Sequence, residues 1–164
     1  AKLNANQTFT GNNTFNKISY SSPRTHYFVV GGEGFLPGKN DAYSNSYDNG
    51  GAYIISGYGA MAAPIHLPNG AVVTELKVFF YDNSTSDVSV SLGRLSFSGG
   101  YGFLAIVSSS NISGYGSSTD NSIGYSTINN LSYSYHLRAY SSSWDSANLR
   151  IMGALVTYTI NEAP

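Results

Sequence analysis

The chain has 164 residues, of which 41% are apolar, and a formal net charge of −1; that length suits one domain able to bury roughly two-thirds of its unfolded surface. Charged residues are only 10% of the chain, against about a quarter in ordinary domains, and there is no basic block, which argues against capture of nucleic acid or anionic lipid. Cysteine is absent, so there is neither a disulfide nor a thiolate site, and no apolar run approaches the ~18 residues that would insert into a membrane.

In chain order, the first twenty residues form an extended segment distinct from the domain expected over residues 21–164. Asn6-Gln7-Thr8-Phe9 is echoed by Asn12-Asn13-Thr14-Phe15. A spacing of six keeps Phe9 and Phe15 on one face of a strand. Two phenylalanines on a polar strand have no core of their own, so Thr8, Phe9, Thr14 and Phe15 are expected to engage a partner surface, either the body of this domain or another chain; an ordinary first strand with a chance echo is the plainer reading. A strand follows from Arg24 to Val30, ending at Gly31-Gly32, and residues 40–51 are polar enough to be a surface loop. Ala52 to Ser56 is a short strand. Ala60 to Leu67 carries Pro64, which demotes it to an edge or bulged strand, and Pro68-Asn69-Gly70 is a turn.

The clearest alternation puts Val72, Thr74, Leu76, Val78 and Phe80 on one face, with Glu75, Lys77, Phe79 and Tyr81 on the other. Asp82 to Ser86 turns the chain, and Val88, Val90 and Leu92 return. The pattern predicts a β-hairpin. Phe103 to Val107 is a short apolar strand, and a Ser/Gly/Asn loop is expected from there to Asn121. Leu131, Tyr133, Tyr135 and Leu137 then alternate with Ser132, Ser134, His136 and Arg138. Finally Leu149, Ile151, Leu155 and Thr157 alternate with Arg150, Met152, Val156 and Tyr158, across Gly153. No helical period holds for three turns. The fold expected is all-β: an antiparallel sandwich or jelly roll of about eight or nine short strands, preceded by an extended N-terminal strand segment.

Catalysis finds little footing. His26, His66 and His136 are isolated, and no G-x-S-x-G elbow occurs,; no enzyme is expected. Zinc lacks paired histidines. Calcium is the open metal, because Asp41, Asp48, Asp82, Asp87, Asp120 and Asp145 lie mostly in loops, yet no calcium-loop pattern is present and aspartates favour turns for backbone reasons alone. No cofactor is expected. Ser56-Gly57-Tyr58-Gly59 recurs as Ser113-Gly114-Tyr115-Gly116, with a related Gly-Gly-Tyr-Gly ending at Gly102. Such stretches put a Tyr ring on a small-residue support, suited to sugar stacking or partner contact; tyrosine beside a glycine turn is also commonplace in β-proteins. Tyr43, Tyr47, Tyr58, Tyr101, Tyr115 and Trp144, expected on loops, are the candidate contacts to a glycan or partner. Five N-x-S/T sequons, at Asn6, Asn12, Asn83, Asn111 and Asn130, are candidate N-glycosylation sites.

Ala63 to Thr74, leading into Phe79-Phe80-Tyr81-Asp82-Asn83-Ser84, resembles a C-terminal β-sandwich module of large secreted and surface proteins of environmental bacteria. Leu149 to Ile160 resembles that module's last strand, and the likeness covers roughly residues 50–160. Leu3 to Gly11 is similar to repeats of phage tail fibres and bacterial fibrous surface proteins. The resemblance implies a compact β-domain attached to, or assembling into, a filament. With the composition, it places the chain outside the cell, on a cell surface or a virion appendage; its start at Ala1 fits a mature secreted product or an excised fragment. The leading expectation is a non-catalytic subunit or terminal module of an extracellular fibre, joined to other copies of itself by β-strand addition, as a filament or a trimer. The alternative is a receptor- or glycan-binding knob that contacts surface glycans.

Overall fold

A computed structural model describes residues 10–12, 19–38, 43–45 and 50–162. The chain order is β1 (Ser19–Gly31), β2 (Leu36–Pro37), β3 (Tyr43–Asn45), β4 (Ala52–Ile54), β5 (Gly57–Ile65), β6 (Val72–Asp82), β7 (Ser89–Ser96), β8 (Tyr101–Ser108), β9 (Gly114–Asp120), β10 (Tyr133–Trp144) and β11 (Leu149–Glu162). Single 3-10 turns occupy Gly32–Gly34 and Ser146–Asn148. The expected all-β sandwich is therefore present, with eleven strands among the described residues: β2 and β3 are too short to read from a pattern, and β9 lies where a loop was expected.

The strands form two antiparallel sheets. A six-stranded sheet runs β3-β4-β11-β6-β9, with β1 also pairing β11; a five-stranded sheet runs β2-β5-β10-β7-β8. From β4 onward the chain changes sheet at each connection except β7 to β8, which is a jelly roll. Between the sheets, Leu76, Val78, Phe80, Ile151 and Val156 from one layer meet Met61, Val90, Leu92, Leu137 and Ala139 from the other, all buried. Each contributes on the order of 1.5–3 kcal/mol where a large side chain leaves water completely.

The expected hairpin does not form: β6 and β7 belong to different sheets. Alternation shows only that both strands bury one face, and two strands facing each other across a core satisfy it as well as two strands side by side. What bends the chain across is Asp82, which is 2% exposed. It accepts the Ser84 amide at 3.0 Å and the buried hydroxyl of Ser109. The expected loop before Asn121 contains β9, paired along its whole length with β6 from Leu76↔Asp120 to Asp82↔Gly114. Its sequence, Gly-Tyr-Gly-Ser-Ser-Thr-Asp, has no apolar alternation because it is an edge strand.

Two irregularities re-aim side chains. Pairing of β11 with β6 slips at Met152, between Ile151 and Gly153, so Ala154, Val156 and Ile160 carry on the inward face that Leu149 and Ile151 begin. The sequence pattern had placed Leu155 and Thr157 there; a bulge shifts the period by one. A second slip at Thr74 turns Val73 inward in place of Val72 and Thr74. Pro64 sits where expected: β2 covers only Ala62 and Met61 of β5, so the missing N–H of Pro64 lies on an open edge.

Candidate functional site

The outer face of the six-stranded sheet carries a groove of about 590 Å³, within the range of small-ligand clefts,. Its origin is local. Gly31 and Gly153 face each other across β1 and β11, and Gly153 in turn pairs Phe79 of β6, which pairs Ser117 of β9. Two adjacent positions without side chains leave a hollow between Val29, Met152, Phe79 and Tyr115. Gly153 is required there, since a Cβ would stand 2.9 Å from the Val30 carbonyl oxygen.

The neighbouring row runs Arg150, Tyr81, Tyr115 across β11, β6 and β9. The Tyr81 and Tyr115 rings meet edge to face with centroids 4.8 Å apart, and the Arg150 guanidinium lies 4.1 Å from the Tyr81 centroid. Tyr115 is 67% exposed and Phe79 40%. Polar groups rim the hollow: Ser117 lines it, and the Glu33 carboxylate packs against Gly31. An apolar ring surface bordered by hydroxyl and carboxylate groups suits the mixed C–H and O–H surface of a sugar, while Arg150 is buried against Tyr81,.

Of the candidate tyrosines, Tyr43, Tyr58, Tyr101 and Tyr115 lie on strands rather than loop tips, and the last three on two sheets. Tyr115 belongs to the groove. Tyr58 and Tyr101 lie on the opposite, five-stranded sheet, where Tyr58 meets Tyr140 edge to face at 5.4 Å and Tyr101 meets Phe103 at 4.9 Å. The Tyr101 hydroxyl lies 3.3 Å from His136 Nε2, an approach that Gly93 permits: a Cβ there would stand 2.9 Å from Tyr101 Cζ. Burial, with the Arg138 charge adding to it, holds the His136 imidazole below its ordinary pKa.

Trp144 is a correction. It is the last residue of β10, 2% exposed, with its indole N–H donated to the Gly59 carbonyl at 2.9 Å. A strand continuing through Ser141-Ser142-Ser143 hides an inward residue behind a polar run, and an inward indole offers no sugar platform. Tyr43 lies in β3; Thr8, Phe9, Thr14, Phe15, Tyr47 and Asn6 fall outside the described residues. Asn12, Asn83, Asn111 and Asn130 are exposed, and Asn130 donates its amide to the Leu67 carbonyl at 2.8 Å. Phe79 and Tyr81 went unnamed as contacts, although two aromatics on the polar face of β6 were the available signal.

The three histidines stay apart: His26 stacks on Tyr158, His66 is exposed beyond β5, and His136 lies on the other sheet. Among the described residues, no three His, Asp or Glu side chains group as a metal site would require. Asp120, a candidate oxygen ligand, instead accepts the Ile106 and Ser122 amides at 3.1 and 2.9 Å. Among the described residues, no helix is long and apolar enough to cross a membrane.

No protein-family model matches the chain, and no curated protein does. Solved structures do. The C-terminal CBM6 of LamC, a marine laminarinase from Zobellia galactanivorans, aligns with a TM-score of 0.52 at 12% identity, over 80% of this chain and 99% of that one. A family 6 carbohydrate-binding module aligns with a TM-score of 0.45 at 12% identity, over 84% and 94%. TmCBM61, solved with β-1,4-galactotriose, gives 0.37 at 11%, over 83% and 88%. The first likeness is one of fold, a β-sandwich module. These structures give no support to the tail-fibre resemblance.

Proposed function

We propose that this domain is a non-catalytic, extracellular carbohydrate-binding module that holds a polysaccharide along the outer face of its six-stranded sheet. The observation that carries the reading is the groove over Gly31 and Gly153, with Phe79 and Tyr115 exposed beside it. A pyranose presents a flat C–H face to such rings, while its hydroxyls find Ser117 and the rim carboxylate of Glu33. The sandwich shared with the CBM6 of LamC supports the same reading. So does a surface poor in charge, which favours uncharged hydroxyl-rich ligands. Because LamC is a laminarinase, laminarin is the first test ligand.

Calorimetry and affinity electrophoresis against laminarin, mannan, galactan and xylan test it. Binding to at least one is expected, with Phe79→Ala and Tyr115→Ala each weakening it by about tenfold, which is about 1.4 kcal/mol. No binding to any polymer, or binding indifferent to both substitutions, overturns the site.

A second reading rests on β1. From Arg24 to Gly31 it pairs continuously with β11 and with no other strand among the described residues, and a free edge is a template for an added strand. Here the N-terminal segment of another copy, with Phe9 and Phe15, would supply that strand and build a filament or trimer. Deleting residues 1–17 and imaging the protein by electron microscopy separates the two: loss of assemblies supports the strand, and monomers before and after remove it.

A further inference from the structure

At one end of the sandwich, away from the groove, a cation is held in an unusual setting. Arg94 of β7 pairs Tyr135 of β10 on one side and Gly102 of β8 on the other. Its guanidinium lies 3.6 Å from the Tyr125 ring centroid and 4.2 Å from that of Tyr133. Two aromatic rings therefore cover it. Gly102 keeps the slot open, since a Cβ there would stand 3.3 Å from Arg94 Nε and 3.4 Å from Tyr125 Cε2.

Tyr125 is placed by strain. It has φ +48, a left-handed conformation that costs an L-residue roughly 1–2 kcal/mol. The chain on either side is pinned: Gly124 N–H donates to Leu104 O at 2.8 Å, and Ser126 O accepts from Val73 N at 2.9 Å. A ring that is 60% exposed recovers little of that cost through burial. What the strained residue does is cover Arg94.

The guanidinium itself is incompletely satisfied. Ring faces take up its π surface, but they accept none of its in-plane N–H groups. Among the described residues, no carboxylate forms an ion pair with it and no acceptor hydrogen-bonds to it. A planar, fixed fork of donors with its faces shielded from water is the complement of an oxyanion, which binds such a fork through two parallel N–H···O bonds.

We propose that Arg94, between Tyr125 and Tyr133, is an anion subsite that recognises an acidic polysaccharide through its oxyanion group, a uronate carboxylate or a sulfate ester. That a polysaccharide carries the anion rests on the carbohydrate-binding function proposed above; the anion site rests on the Arg94 geometry alone. The solvent-facing part of Tyr125 supplies a ring surface beside the anion for the sugar that carries it.

The test uses the whole chain with polygalacturonate as the uronate probe, carrageenan as the sulfate-ester probe, and inorganic sulfate followed through the Arg94 Nε–H signal by NMR. At low ionic strength, at least one acidic polymer is expected to bind. Arg94→Ala should weaken that binding about tenfold, and Arg94→Lys should restore little of it, since a lysine keeps the charge without the flat fork. Thermal melts of Arg94→Ala and Arg94→Lys check that each variant remains folded. Preference between the two polymers assigns the oxyanion. Acidic polymers that bind equally well to wild type and Arg94→Ala, or that do not bind while sulfate leaves the Nε–H signal unmoved, overturn the site. Neutral polymers bound with Arg94 indifferent would sink this site and spare the groove. A sulfate response with no polymer bound would support the anion site and sink the carbohydrate reading.

Discussion

Ser109 donates its hydroxyl to the carboxylate of Asp82, and neither residue reaches solvent appreciably. The same Ser109 oxygen accepts the Val88 amide at 3.0 Å, while Asp82 accepts the Ser84 amide and the adjacent Asn83 N–H reaches the Asn148 carbonyl at 2.7 Å. Together these bonds take the chain from one sheet to the other and join the end of β8 to the end of β6. Buried polar groups persist when fully bonded, and this pair forms such a network at the arch.

Removing either partner strands the other. Asp82→Ala leaves the Ser84 amide and the Ser109 hydroxyl without an acceptor and should cost about 2–4 kcal/mol; Ser109→Ala, which also frees the Val88 amide, should cost about 2–3 kcal/mol. Urea unfolding should show the midpoint falling with little change in slope. A change below about 0.5 kcal/mol for both variants would mean that the arch does not depend on the pair.

The arch also shows where sequence reading stops. Leu76, Val78, Phe80, Val88, Val90 and Leu92 were legible as buried positions from their alternation, and all are buried. Which sheet each strand joins was not legible. That depends on a carboxylate at a strand end finding a hydroxyl 27 residues later, and no local period encodes such a pairing. The site divides in the same way. Tyr115 stood out beside its glycines, but the hollow next to it requires Gly31 and Gly153 to meet across strands far apart in the chain. Bulges at Met152 and Thr74 moved the inward face by one residue, a change that alternation alone reads as an error in the pattern.

Trp144 separates folding from recognition. Trp144→Phe keeps most of the buried ring but abandons the bond to Gly59 O, for an expected loss of about 1–3 kcal/mol. Trp144→Ala should lose about 3–5 kcal/mol, because it also opens a cavity. Polysaccharide affinity of the Phe variant should stay at the wild-type level. A selective loss of affinity with stability intact would return Trp144 to the binding surface.

His136 gives the domain a pH dependence of defined sign. Its imidazole is held below the ordinary value of 6.5, first by burial and then by Arg138. Between that value and the lower folded one, the unfolded chain binds the proton more readily, so stability rises with pH across this window and is lost as pH falls through it. Above 6.5 both states are neutral and the contribution is flat. Unfolding midpoints measured from pH 7.5 down to pH 4.5 should therefore fall less steeply in His136→Gln than in wild type just below about pH 6.5. Parallel curves would assign that acid sensitivity to other groups.

Gly32 and Gly99 test two different reasons for glycine. Gly32 is buried where the end of β1, the entry to β4 and β11 converge: a Cβ would collide with Gly51 Cα and stand 2.5 Å from the Ile151 carbonyl oxygen. Both obstacles are backbone, so neither can swing aside, and Gly32→Ala should destabilise by more than about 2 kcal/mol. Gly99 has φ +99 and nothing within 4 Å of a Cβ. Gly99→Ala meets no neighbour and suffers only the left-handed backbone, for about 1–2 kcal/mol. The two should also differ in binding. Gly32 adjoins Gly31 in the floor of the groove, so prying β1 from β11 there should weaken polysaccharide binding as well as the fold. The Gly99 turn lies between β7 and β8 on the other sheet, and its change should leave the groove intact. Thermal melts paired with calorimetry on the two variants give both readings, and equal binding losses would show that the groove does not depend on how closely β1 seats on β11.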